Sequence, residues 1–416
     1  MHYFWIDAKR NLKVSYYDFF QDLIKEGVNC LYVKAEDPYI LFLNLIRNFI
    51  NNKNSIILDS DFSELELNKL EITSVDIQKE NYFQPTLDKK YEDFKHILDF
   101  LDKNKHQLFI QIFTSGTTGN PKKVSQTLYN ITRSVKIDSV YQDNIWAFAY
   151  NPSHFAGLQV FFQALYNENK IVYVFNQDFE FNYKALVDNN SSHLSCTPTF
   201  LKMLLQYISI PNKNIRSITL GGEKFDEKIV KLIDKFFPNA VVKNVYASTE
   251  AGSLLRAKDG YFEIPARYQK LIKIVNNELL IKDELLGDGK DFEITDGWYY
   301  TGDIIEFKDS FETQFKFISR KTEIINVGGY KVNPVEIENL IKEVKGVKDV
   351  IVFGRKNSLM GNVIEANILK DSNMLEVDVK NEIKSAIKVL QDFKHPRIIK
   401  FVDNFELTRS GKLKRS

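Results

Sequence analysis

Cysteine is almost missing from this sequence. Only Cys30 and Cys196 occur, far apart, with no CxxC pair and no Cys/His cluster. That excludes a disulfide framework and a structural zinc site, and two isolated thiols fit a reducing, cytoplasmic setting. An excess of either charge is missing too, with 56 Lys and Arg against 55 Asp and Glu for a net charge of +1. Such a balance gives no overall field to attract nucleic acid or an anionic membrane. A long hydrophobic run is also wanting. The best membrane candidate, residues 144–167, is free of Asp, Glu, Lys and Arg but carries Asn151, Pro152, Ser153, His154 and two glutamines. Those polar groups would be costly in lipid, so a buried strand, a loop and a core helix are expected there. Asp7, Lys9 and Arg10 interrupt the start before an apolar core could form, which argues against a signal peptide. Internal repeats and low-complexity tracts are lacking as well.

What is present is ordinary globular material, 44% hydrophobic and 27% charged over 416 residues. A prior of ~150 residues per domain suggests two or three domains. The first hundred residues alternate apolar runs with Lys/Asn/Asp-rich connectors: 39–50 reads as a buried helix and 55–58 as a strand. Strand-like runs recur at 108–113, 145–150, 171–175, 215–220 and 240–245, with helical patterns such as 198–207 and 227–237 between them. The alternation predicts an α/β architecture with a largely parallel sheet. Beyond Gly252 short strands at 271–275, 278–282 and 313–318 are split by turns. From Arg320 a hairpin around Gly328-Gly329, a helix capped by Asn333 and Pro334, strands at 349–354 and 363–369, a helix at 377–390 and a strand at 397–402 form an α+β unit. We therefore expect a large N-terminal domain, 1–319, of mixed α/β sheets, and a small mobile C-terminal α+β domain, 320–416.

Five segments carry chemistry. TSGTTG at 114–119, followed by Lys122, follows a strand with two glycines and four hydroxyls, a loop able to turn N–H groups and hydroxyls toward phosphate. Alone it is equally compatible with an ordinary surface turn, and it lacks the Walker order. YASTE at 246–250 ends an apolar strand with a hydroxyl beside a carboxylate, a pairing suited to Mg²⁺, although a lone Glu250 also fits a solvated loop. YYTGD at 299–303 places Asp303 after a tight turn, where it could accept from ribose hydroxyls or serve only the turn. SRKTEIINVGGYK at 319–331 marks the domain junction, and LTRSGKLKRS at 407–416 is either functional or a basic tail.

Together and in this order, with GGE at 221–223, these segments resemble the adenylate-forming superfamily of acyl- and aryl-CoA synthetases, peptide-synthetase adenylation domains and luciferases. The motifs span 113–415, and VSYYDF at 14–19 is similar to an early element of the family. The resemblance implies ATP-dependent, AMP-forming ligation of a carboxylic acid to a thiol. Thr114, Ser115, Gly116, Thr117, Thr118, Gly119 and Lys122 would then hold the β- and γ-phosphates. Gly222, Glu223 and Tyr246 would frame adenine, Thr249 would touch the α-phosphate and Glu250 would bind Mg²⁺. Asp303 would hold the ribose, with Arg320 nearby. Lys412 matches the mobile lysine that stabilises charge during adenylation. NPSHFAG at 151–157 resembles the PxxHxxG segment of acyl- and aryl-CoA ligases, o-succinylbenzoate–CoA ligases included, which places His154, Phe155 and Gly157 at the acyl substrate. Amino-acid-activating relatives carry an aspartate there, so α-amino acids are disfavoured. His154 is equally readable as a core histidine.

Three positions depart from the family pattern. Lys123 replaces a glycine, Lys331 replaces an arginine and so loses bidentate geometry, and Thr322 stands at the hinge where Asp or Lys is usual. The acceptor thiol is expected to be CoA. The alternatives are the phosphopantetheine of an acyl carrier protein and, in another class, a nucleotide-binding relative without catalysis.

Overall fold

The computed structural model describes residues 2–73, 76–77, 80–83, 91–115, 121–176, 178–223, 225, 228–289, 292–357, 360–371, 373–409 and 412–414. The chain divides into two compact units, Met1–Leu271 with Ile281–Tyr299, and Ile272–Leu280 with Tyr300–Ser416. The strands Glu278–Lys282 and Trp298–Phe307 run across this division.

The larger unit is built on an eight-stranded sheet. Its order is Gly252–Arg256, Val241–Ser248, Ser217–Gly221, His193–Cys196, Ile145–Ala149, Lys170–Tyr173, Tyr3–Asp7 and Leu12–Ser15. The six inner strands are parallel, and the two edge strands are antiparallel to their neighbours. This bears out the expected α/β class with a mostly parallel sheet. Because the inner strands are parallel, the loops after Ala149, Cys196, Gly221 and Ser248 emerge at one edge, the usual place for ligands in such sheets.

A second sheet holds Tyr32–Val33, Ser55–Ile57, Phe109–Ser115 and Pro121–Thr127 in that order. The last two strands are antiparallel, with Ser115 opposite Pro121. Residues 116–120, the centre of the phosphate-loop motif, lie outside the described residues. Between the sheets sits an aromatic core. Phe42 on the helix Pro38–Ile50 stacks on Phe161 of the helix Phe155–Tyr166 with ring centroids 3.9 Å apart, and Phe4 stacks on Phe19 at 4.3 Å. Such rings supply both buried area and a preferred geometry. Local signals start the helices: Asp37 caps Pro38–Ile50 with proline at its first position, and Ser15 forms a capping box with Asp18 ahead of Tyr16–Ile24.

In the smaller unit the strands Ile272–Val275 and Glu278–Lys282 are joined by Asn276 and Asn277, both left-handed at φ 50° and 60°, as a tight two-residue hairpin needs. Gly328 and Gly329, at φ 57° and 91°, turn the expected hairpin between Ile325–Val327 and Tyr330–Val332. Asn333 caps the helix Pro334–Ile341 by accepting from the Val335 N–H, while Glu336 reaches Lys394 at 2.8 Å rather than back to the cap. The helix expected at 377–390 is Glu376–Ala386 and then a single 3₁₀ turn, Ile387–Val389, which tightens the end while Ile387 stays in the core. Both helices pack on Val347–Asn357, Gly361–Lys370 and Ile398–Val402. Among the described residues no helix is long and apolar enough to cross a membrane.

Candidate active site

Three sequence motifs, NPSHFAG, GGE and YASTE, follow inner strands at the carboxyl edge of the large sheet. Gly221 pairs with Val245 on the adjacent strand, and a side chain at 221 would come within 2.8 Å of Val245 Cγ2. Gly222 follows with φ 83°, a left-handed turn that any larger residue would strain. The turn delivers the Glu223 carboxylate to the start of the helix Pro198–Leu205. There Oε2 accepts from the Thr199 N–H at 2.9 Å and Oε1 from the Thr199 hydroxyl at 3.0 Å, an anion placed at a helix N-terminus. Tyr150, which no motif singled out, is buried behind them. Burial raises its phenol well above the ordinary value.

Thr249 and Glu250 follow the strand Val241–Ser248, and a second residue without a sequence signal fixes them. Gln126, fully buried on the strand Pro121–Thr127, donates through Nε2 to the carbonyls of Thr249 at 2.6 Å and Glu250 at 2.9 Å. Its Oε1 accepts from the Asn130 amide at 3.0 Å, so both ends of the glutamine are used. Gly287 closes the network by donating its N–H to the Glu250 carbonyl at 2.8 Å. Any side chain at 287 would strike Gln126 Nε2 at 2.4 Å. Ser125 and Asp288 exchange two backbone bonds of 2.7 Å, and Arg133 donates to the Ala251 carbonyl. The Thr-Glu turn is thereby bonded to the strand that carries Lys122, directly beyond residues 116–120.

Thr114 and Ser115 end the strand Phe109–Ser115, whereas Gly116, Thr117, Thr118 and Gly119 lie outside the described residues. Tyr246 pairs with Leu255 in the sheet, on the strand that leads to Thr249. His154 sits ahead of the helix Phe155–Tyr166 and makes no side-chain cap bond. Its ring nitrogen Nε2 lies 3.2 Å from Asp59 Oδ1. Phe155 is buried in the core, and Gly157 is forced by the Asn151 carbonyl, 2.3 Å from where a Cβ would stand.

In the smaller unit Asp303 and Arg320 are register partners, and Arg320 donates to both oxygens of the buried carboxylate at 2.6 and 3.4 Å. Thr301 donates its hydroxyl to the Leu279 carbonyl and accepts from the Asp303 N–H, while buried Glu278 accepts from the Gly302 N–H and from Lys321 at 2.5 Å. Thr322 lies exposed in the single turn Lys321–Glu323, and Lys331 is exposed on the hairpin. Near the end of the chain Leu407 bridges Leu413, the Thr408 N–H donates to the Lys412 carbonyl at 2.7 Å, and the Lys412 N–H donates to the Thr408 hydroxyl at 3.2 Å. Ser410 and Gly411 lie outside the described residues.

A divalent cation fits this donor set only in company. Among the described residues no group of three or more His, Cys, Asp or Glu side chains could hold a metal alone. Glu250 is a single carboxylate, which suits Mg²⁺ arriving with nucleotide phosphates and most of its own waters.

The chain is 27% identical over 326 residues to the 2-succinylbenzoate–CoA ligase of Listeria monocytogenes serotype 4b, covering 73% of this chain and 68% of that protein. In fold it is similar to the o-succinylbenzoate CoA synthetase MenE of Bacillus subtilis in complex with the acyl-adenylate intermediate OSB-AMP, with a TM-score of 0.69 at 16% identity over 100% of this chain and 94% of that one. The same enzyme with ATP and a magnesium ion superposes with a TM-score of 0.69 at 17% identity, over 100% and 96% of the two chains. Residues 49–291 match the family of AMP-binding enzymes and residues 336–412 the AMP-binding enzyme C-terminal domain, so the chain belongs to the AMP-binding enzymes of the adenylate-forming superfamily.

Proposed function

We propose that this protein is an AMP-forming acid–CoA ligase. In the first half-reaction a carboxylate oxygen attacks the α-phosphorus of ATP and pyrophosphate leaves, giving an acyl-adenylate. In the second the CoA thiolate attacks the acyl carbon, and AMP departs with the electrons of the broken C–O bond. Two anions must meet in the first step, so positive charge and oriented donors are needed where negative charge accumulates. Mg²⁺, bound through Glu250 and the nucleotide, would neutralise phosphate charge. Thr114, Ser115, Thr117, Thr118 and Lys122, with the backbone of Gly116 and Gly119, would hold the β- and γ-phosphates. Thr249 would touch the α-phosphate, Tyr246 with Gly222 and Glu223 would border adenine, and Asp303 beside Arg320 would take the ribose. Lys412 would offset the charge that develops during adenylation, and Lys331 would face phosphate.

The observation that carries this reading is the Gln126 clamp. It joins the turn of Thr249 and Glu250 to the strand beyond the phosphate-loop motif, as a site for one triphosphate requires. We further propose that 320–416 moves as a small domain about Thr322, so that Lys412 serves the first step and withdraws for the thiol. The acid is an organic carboxylate without an α-amino group, contacted by His154, with Phe155 and Gly157 shaping that segment. 2-Succinylbenzoate is the first to test, since the Listeria relative carries that name. Pyrophosphate release should appear with one member of a carboxylic-acid panel and AMP should accumulate with CoA. Thioester formed only with a holo carrier protein would reassign the acceptor, and no AMP with any acid would refute catalysis.

A further inference from the structure

A carboxylate that no motif marks holds the proposed acyl-side segment. Asp59 follows the strand Ser55–Ile57 and is only 6% exposed. Three side chains of one loop converge on it: Asn151 donates to Oδ1 at 3.1 Å, the Ser153 hydroxyl donates to the same oxygen, and His154 Nε2 lies 3.2 Å from Oδ1 and 3.3 Å from Oδ2. The loop is braced internally as well, because Asn151 Oδ1 accepts from the Ser153 N–H at 3.0 Å. His154 occupies a helix N-cap position yet makes no cap bond, so its ring is committed to Asp59 instead. Side chains of Asn151, Ser153, Ser60 and Glu36 also line a cleft beside this loop.

Burying a carboxylate is unfavourable unless its partners satisfy it, and packing alone would be better served by an apolar side chain. The arrangement does something packing cannot. An imidazole that gives Nε2–H to a carboxylate is fixed in one tautomer and one orientation, with Nδ1 left for another partner. The strand before Asp59 lies parallel to Phe109–Ser115, with Ser55 opposite Ile110 and Ile56 opposite Gln111. Asp59 therefore refers the His154 ring to the sheet from which the phosphate-loop motif departs.

We propose that Asp59 is a positioning residue for acid recognition, acting through His154. The inference rests on the reading of His154 as an acid contact. The test uses Asp59→Asn, which keeps size and removes charge, with Asp59→Glu as the conservative variant. Asp59→Asn should raise KM for the acid about tenfold or more, the scale expected when a substrate-orienting group is misplaced by a fraction of an ångström, and change KM for ATP less than about twofold. Asp59→Glu should recover part of the loss. In a His154→Ala background Asp59→Asn should add no further loss. Independently of turnover, ¹⁵N NMR of the His154 ring, assigned by difference from His154→Gln, should show protonated Nε2 and bare Nδ1, and Asp59→Asn should abolish that bias. Equal rises in both KM values, additive losses, or an unchanged tautomer in Asp59→Asn would each overturn the proposal. If wild-type protein turns over no acid, the ligase reading fails by itself, and the tautomer measurement still decides whether Asp59 sets the ring.

Discussion

At the scale of single residues the two half-reactions offer separate tests of the role proposed for Lys412. Its place in the SGK segment motivates the assignment. Lys412→Ala should slow acyl-adenylate formation by ~10²–10³-fold, the usual effect of losing one preorganised contact to developing charge. Transfer from a supplied acyl-adenylate to CoA should persist. Pyrophosphate exchange beside thioester production from that adenylate measures both, and near-normal exchange would move the role to Lys414, which pairs with Glu406 at 3.0 Å. A second residue speaks to stability rather than catalysis. His193 packs on Trp146 with centroids 4.8 Å apart, and burial, then the charges of Lys243 and Arg216, lower it from 6.5 to about 4. The folded protein resists its protonation and the unfolded chain does not. Stability is therefore full above pH 6.5 and declines as pH falls toward 4, by about 2 kcal/mol once partial solvation of the ring is allowed for. His193→Gln should flatten that part of a plot of Tm against pH, and an unaltered slope would refute the attribution.

At the scale of elements the second sheet and the Thr-Glu turn depend on one buried amide. Gln126→Leu would strip the Thr249 carbonyl of its partner at about 1–3 kcal/mol, while the Glu250 carbonyl would keep the Gly287 N–H and the Asn130 amide its longer bond to the Leu286 carbonyl. Adenylation should fall at least ~10-fold, since displacement of a positioning turn is felt directly in the rate. Glu250 moves with that turn, so the apparent Mg²⁺ requirement should rise as well. A variant that melts lower but adenylates normally would show that the clamp serves folding alone. Nothing in KKVSQT announces this glutamine, because a buried hydrogen-bonding partner has no periodicity. Asp59 was illegible for the same reason: its partners lie more than ninety residues away. Strands with apolar, aromatic or β-branched runs, such as Ile145–Ala149 and Ser217–Gly221, were readable within a residue or two. Tyr3–Asp7 was not, since an inner strand covered on both faces loses the alternation that marks an exposed one. His193–Cys196 has only one strong apolar residue at its centre and owes its conformation to the strands on either side.

At the scale of the whole molecule the readable part was the order of the motifs, and what they could not supply is how one set of groups serves two chemically opposed steps. Adenylation needs a lysine against the α-phosphate, whereas thiolysis needs room and a path for CoA. Thr322 is the position to test. It lies exposed in the one turn between the strands Phe315–Arg320 and Ile325–Val327, with Lys321 beside it paired to Glu278 and Arg320 to Asp303. Those two ion pairs hold the near side of the turn, so a rotation would be concentrated in a few backbone dihedrals, as in other hinges. Proline at 322 fixes φ near −65° and restricts the residue before it, which narrows the conformations the turn can reach. Thr322→Pro should retain substantial pyrophosphate exchange and lose most thioester formation, the reverse of Lys412→Ala. A rigid junction predicts something else, either no effect or parallel losses in both assays. Measuring both on one preparation distinguishes these outcomes, and parallel losses would remove the case for domain alternation in this chain.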